Sequence, residues 1–104
     1  MNQVIQIYLP LYGNAGERLP RALYDAVRDE LVGRFGGITA YTRVPAHGIW
    51  QEPGDQQAAH DDIVIYEVIA DRLDVPWWQS YRADLEARFR QEQILIRAQP
   101  VQIL

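Results

Sequence analysis

DDIVIYEVIA, residues 61–70, is an almost unbroken apolar run rich in β-branched side chains. Isoleucine and valine lose rotamer freedom in a helix and pack well on a pleated surface. The run therefore reads as a strand, and its apolarity on both sides makes it a central one. Successive strand residues point to opposite faces. Val64, Tyr66 and Val68 form one set, and Ile63, Ile65, Glu67 and Ile69 the other. Only Glu67 separates them, because a carboxylate buried beneath helices without a partner costs several kcal/mol. Glu67 and its isoleucines are thus expected on an open sheet face, with Val64, Tyr66 and Val68 under helices.

The segments around this strand follow from it. QVIQIYLPLY (3–12) alternates Ile5, Ile7, Leu9 and Leu11 against Val4, Gln6 and Tyr8, which predicts a strand whose regular pairing ends at Pro10. YGNAGERLP (12–20) is a loop by its glycines and asparagine. Residues 20–35 predict a helix, with Pro20 in the first turn and Leu23, Val27, Leu31 and Phe35 recurring at i+4. Ala26 fills the same side, and Gly36 and Gly37 stop the helix. GITAYTR (37–43) returns to period two, placing Tyr41 and Arg43 on the open side. VPAHG (44–48) breaks the alternation, IWQE (49–52) resumes it, and PGD (53–55) is a turn. After residue 70, Asp74 is a helix cap and Pro76 lies in a first turn, with Trp78, Tyr81, Leu85 and Phe89 as the inward stripe and Trp77 on the flank with Arg88. ILIRAQ (94–99) predicts a last strand, ended by Pro100, with Arg97 and Gln99 open.

The order strand, helix, strand, strand, helix, strand, joined by right-handed crossovers, predicts an α+β protein. Its sheet is four-stranded and antiparallel, in order 4-1-3-2, with both helices on one face, which is the ferredoxin-like βαββαβ arrangement. RFGGITAYTR, GIWQ, DDIVIYEV and WWQSYRADLEARFRQEQILIRA together resemble small uncharacterised bacterial proteins of ferredoxin-like type, some related groups of which pair into dimeric α/β barrels. The resemblance is a whole-pattern one. It implies a fold and a mode of pairing, and carries no catalytic residue.

Composition narrows the function. The 104 residues suffice for one domain, 1–104. Cysteine is absent, which excludes disulfides, thiolate metal sites and cysteine nucleophiles and is compatible with the cytoplasm. All ten basic residues are arginine, so Schiff-base lysines and phosphate-loop lysines are excluded as well. A net charge of −4 argues against a nucleic-acid surface. RNA-recognition domains of the same fold need stacking rings where this chain has Ile65 and Glu67. No apolar run approaches the ~20 residues of a membrane span, and the N-terminus lacks the features of a signal peptide.

One layer of helices covers one sheet face. The other, with Val4, Tyr8, Leu95 and three isoleucines, is more apolar than a soluble monomer usually exposes. A second copy packed sheet against sheet is the expected cover. On that face Glu67, Arg43, Arg97, Tyr8 and Tyr41 form the candidate pocket. They would serve as base or anchor and as anion-binding groups, or as a structural ion pair that fixes the register of the dimer. His47, Trp50 and Trp77 are lesser candidates. His60 with Asp61 and Asp62 matches no metal-ligand spacing, so no metal and no cofactor is expected. GNAG (13–16) is too short for a phosphate loop and reads as a turn. Two functions remain. One is a homodimeric module, structural or binding a small molecule on the open face. The other is a cofactor-independent isomerase or monooxygenase with a pocket around Glu67, by analogy of fold alone.

Overall fold

The alternation of the first strand sets the register of the whole molecule. In a computed structural model that describes residues 2–42 and 63–104, β1 (Asn2–Pro10) buries Ile5, Ile7 and Leu9 completely and leaves Val4, Gln6 and Tyr8 half-buried on the other side. It is followed by α1 (Arg21–Phe35), β2 (Thr39–Thr42), β3 (Ile63–Ala70), α2 (Val75–Phe89) and β4 (Ile96–Val101). The four strands form one antiparallel sheet with neighbours β2-β3-β1-β4, which is 4-1-3-2 counted from the opposite edge.

Both helices pack on one sheet face. Tyr24, Val27 and Leu31 of α1 share a single core with Trp78, Tyr81, Leu85 and Phe89 of α2 and with Val64, Tyr66 and Val68 of β3. Each fully buried aliphatic chain contributes roughly 1.5–3 kcal/mol. The parity that Glu67 requires is the one observed: Val64, Tyr66 and Val68 lie beneath the helices, while Ile63, Ile65 and Glu67 are half-buried and Ile69 is exposed. Among the described residues no helix is long and apolar enough to cross a membrane.

The ends of the helices show local chemistry at work. Asp74 caps α2, its carboxylate accepting from the Trp77 N–H at 3.2 Å, and Pro76 occupies the first turn where no N–H is needed. Gly36 closes α1 at φ 86°, donating its N–H to the Val32 carbonyl at 2.8 Å. Arg90 does the same duty for α2 at φ 53° without being glycine. A side chain in that left-handed conformation costs about 1 kcal/mol. Arg90→Gly is therefore expected to raise stability by roughly 0.5–1 kcal/mol, read as a higher urea midpoint at unchanged slope.

Three expectations are corrected. Pro20 stands at the N-cap of α1, one position before the first turn. In α1, Ala26 is exposed, and Tyr24 takes the core position instead, donating its hydroxyl to the Pro10 carbonyl and meeting Phe89 edge-on at 5.4 Å. A tyrosine enters a core when its hydroxyl finds an acceptor at the margin, and the bare i+4 pattern does not register that.

The last strand is Ile96–Val101, so Pro100 lies inside it rather than ending it. The Tyr8 N–H donates to the Leu95 carbonyl at 3.0 Å. In an antiparallel ladder this places Gln6 with Arg97, and Val4 with Gln99, at the hydrogen-bonded pairs. Ile96, Ala98 and Pro100 then turn their backbone polar groups to the free edge. Proline removes no ladder bond there.

Within residues 12–20, which the sequence predicts as a loop, the chain folds into a small turn anchored on Leu11. Tyr12 bridges Arg18, Leu19 donates to Leu11, and Gly13 donates to Glu17 at 2.8 Å. The Gly16 N–H is likewise turned onto the Gly13 carbonyl, so these glycine amides face inward partners and do not form an anion cradle.

Candidate functional site

Register brings four side chains into one row across the open face. Thr39 of β2 is paired with Glu67 of β3, Glu67 with Gln6 of β1, and Gln6 with Arg97 of β4. Residues paired across antiparallel strands point the same way, so all four look out of the face opposite the helices. The next row on one side is Tyr41, Ile65 and Tyr8; on the other it is Ile69, Val4 and Gln99.

Hydrogen bonds connect the row. Gln6 Nε2 donates to Glu67 Oε1 at 2.9 Å, and the Tyr41 hydroxyl reaches Glu67 Oε2 at 3.4 Å. Gln6 Oε1 accepts from the Tyr8 hydroxyl at 2.9 Å and from Arg97 Nε at 3.2 Å. The direction of the glutamine amide follows from these partners. A carboxylate only accepts and a guanidinium only donates, so the NH2 must face Glu67 and the oxygen must face Arg97. The Arg97 guanidinium also lies over the Tyr8 ring at 5.4 Å, which fixes its plane.

Glu67 and Arg97 sit on either side of Gln6 and do not touch. Neither makes an ion pair among the described residues. Most arginines of the helices are paired instead: Arg21 and Arg28 with Asp25, Arg34 with Asp74, Arg82 with Glu86, and Arg88 with Glu30 and Asp84. Among the described residues, an acid and a base without ion-pair partners therefore share a face whose other members include Val4, Ile63, Ile65, Ile69 and Leu95. Ile69 is 49% exposed and Leu95 is 55% exposed.

Of the residues singled out in the sequence, Glu67, Arg97, Tyr8 and Tyr41 come together. Arg43, His47, Trp50 and His60 lie outside the described residues. Trp77 belongs to the opposite, helical side. It stacks on Tyr81 at 4.8 Å and meets Phe35 edge-on, and its cationic neighbour is Arg34 at 4.1 Å rather than Arg88. Arg88 lies instead over Tyr81. Gln6, which links the whole row, was not singled out. Its signal was present in the sequence: it is the polar residue between Val4 and Tyr8 on the open side, and the predicted strand order sets β1 between the strands of Glu67 and Arg97.

A recess of about 370 Å³ meets this row at its β2 end, bounded by Phe35, Gly36, Gly37, Thr39, Glu67 and Ile69. Among the described residues neither Tyr8 nor an arginine borders it. Among the described residues no group of three or more histidines and carboxylates is placed to hold a metal ion.

No family model and no curated protein matches the chain. Among solved structures it is similar to a phage SAM lyase in complex with S-methyl-5′-thioadenosine, with a TM-score of 0.53 and 18% identity over 94% of this chain and 80% of that one. At that identity the likeness is one of fold.

Proposed function

We propose that the chain is a homodimeric module of ferredoxin-like type that binds a small molecule at the margin of its open sheet face, beside Glu67. The observation that carries this reading is the recess of about 370 Å³, where the Gly36–Gly37 backbone, the apolar Ile69 and the Glu67 carboxylate converge. The lining of this open recess is polar for the greater part, which suits hydrogen bonding, and its volume suits a ligand of modest size. Glu67 is held in place from two sides, by Gln6 and Tyr41. A second copy over the isoleucine rows would deepen the recess and exclude water from it. The cofactor-independent enzyme reading calls for a cavity shared by Glu67, Tyr8 and an arginine. Among the described residues Glu67 alone of these borders the recess, and binding is the reading that the described lining supports.

Because the structural neighbour was solved with S-methyl-5′-thioadenosine, that nucleoside is the first probe. Titration of labelled protein is expected to shift the amide signals of Gly36, Gly37, Thr39, Glu67 and Ile69 at millimolar or lower concentration. Glu67→Gln is expected to weaken the effect at least several-fold. Signals that stay fixed through a panel of nucleosides and small carboxylates would remove the ligand from the proposal.

A further inference from the structure

We infer that the second copy packs about a two-fold axis running along β1, so that Glu67 of each protomer meets the partner's Arg97. The inference rests on the homodimer proposed above and adds its register. The row Glu67, Gln6, Arg97 is laid out symmetrically about β1, acid on one neighbouring strand and base on the other. An axis along β1, lying between two facing sheets, exchanges the β3 side of one protomer with the β4 side of the other. It sets Gln6 over Gln6 and each charge over its opposite.

Within one chain these two charges are held apart by the glutamine and have no ion-pair partner among the described residues, so an opposite charge on a second copy can complement each. The same operation lays Val4 on Val4, Tyr8 on Tyr8 and Ile65 against Leu95, while Ile69 meets the aliphatic stem of Gln99. Facing sheets pack about 10 Å apart, a gap that glutamate and arginine side chains span together. The arginine is already oriented for this: its Nε is taken by Gln6 and its plane by Tyr8, which leaves both Nη groups to grip a carboxylate in two-pronged fashion. A face that is greasy throughout could slip between registers. An unlike pair in this position penalises every alternative that brings like charges together.

The test is a charge exchange followed by sedimentation. Glu67→Arg makes the row doubly basic and Arg97→Glu makes it doubly acidic. Each variant alone is expected to dissociate at least 100-fold more readily than the unaltered protein. Mixed in equal amounts, the two should form a heterodimer, because both basic positions of the Glu67→Arg variant then face the two acidic positions of the Arg97→Glu variant. The doubly exchanged chain should regain the homodimer. Circular dichroism and melting curves identify any variant that has lost its fold, and the doubly exchanged chain then decides alone. If the unaltered protein is dimeric and both single variants remain so, the pairing is wrong while the dimer stands. Single variants that separate but do not recombine, on mixing or in the doubly exchanged chain, also overturn the pairing. A 12 kDa species for the unaltered protein at micromolar concentration overturns the dimer and the pairing together.

Discussion

Phe89→Ala is expected to lower the unfolding free energy by about 3–5 kcal/mol, because it empties a completely buried site where the surroundings relax only partly. Phe89 ends α2 at the point where the two helices meet and lies edge-on to Tyr24 of α1. Its removal takes both its own transfer free energy and part of the contact that positions Tyr24. Domains of this size are stable by roughly 5–15 kcal/mol, so the variant should sit near the threshold of folding at 37 °C. Urea unfolding followed by tryptophan fluorescence measures the loss. A change below about 1 kcal/mol would mean that the helices do not share one core at this position.

Alkaline pH is expected to destabilise the protein well before arginine loses its charge. Three tyrosines in the core have phenols that resist ionisation. Burial, opposed by Arg18 and helped by Tyr66, pushes Tyr24 up to about 12. Burial likewise raises Tyr66. Burial raises Tyr81 too, and the hydrogen bond to Glu30 at 2.8 Å adds to it. In the unfolded chain each phenol titrates near 10. Between pH 10 and 12 the folded state thus holds protons that the unfolded state has released, and stability falls as pH rises. Below pH 10 the contribution is fully present. For Tyr24 alone the two-unit difference corresponds to a loss on the order of 2–3 kcal/mol by pH 12, with Tyr66 and Tyr81 adding to it. Unfolding free energies measured from pH 8 to 12 should trace this fall. Tyr24→Phe should make it shallower, at a cost near 1 kcal/mol at neutral pH for the lost hydrogen bond to Pro10. A flat profile to pH 12 would contradict the burial of these rings.

The second helix was legible in the sequence almost residue by residue. Asp74 and Pro76 announce its start, and Trp78, Tyr81, Leu85 and Phe89 are all buried. The parity of β3 was legible for a different reason: one acidic residue in an apolar strand leaves a single inexpensive orientation. The first helix was less so, because Tyr24 is inward only by virtue of a carbonyl that the loop after β1 presents to it. The extent of β4 is not legible from Pro100 alone, because the effect of a proline depends on which way its nitrogen faces, and that is set by pairing with β1. In the candidate site, charged and aromatic residues announced themselves, while Gln6 did not. A neutral amide gives no signal until its partners on two other strands are in register.

The outward-facing proline on β4 has a further meaning for the molecule's behaviour in a crowded solution. An unprotected sheet margin is a seed on which extended chains can deposit indefinitely, each new layer offering the same template to the next. Here an incoming strand would find amide donors at Ile96 and Ala98 and then a ring nitrogen with nothing to give. Growth past β4 thus lacks a hydrogen bond at the third such position, which blunts this margin against the deposition of further strands.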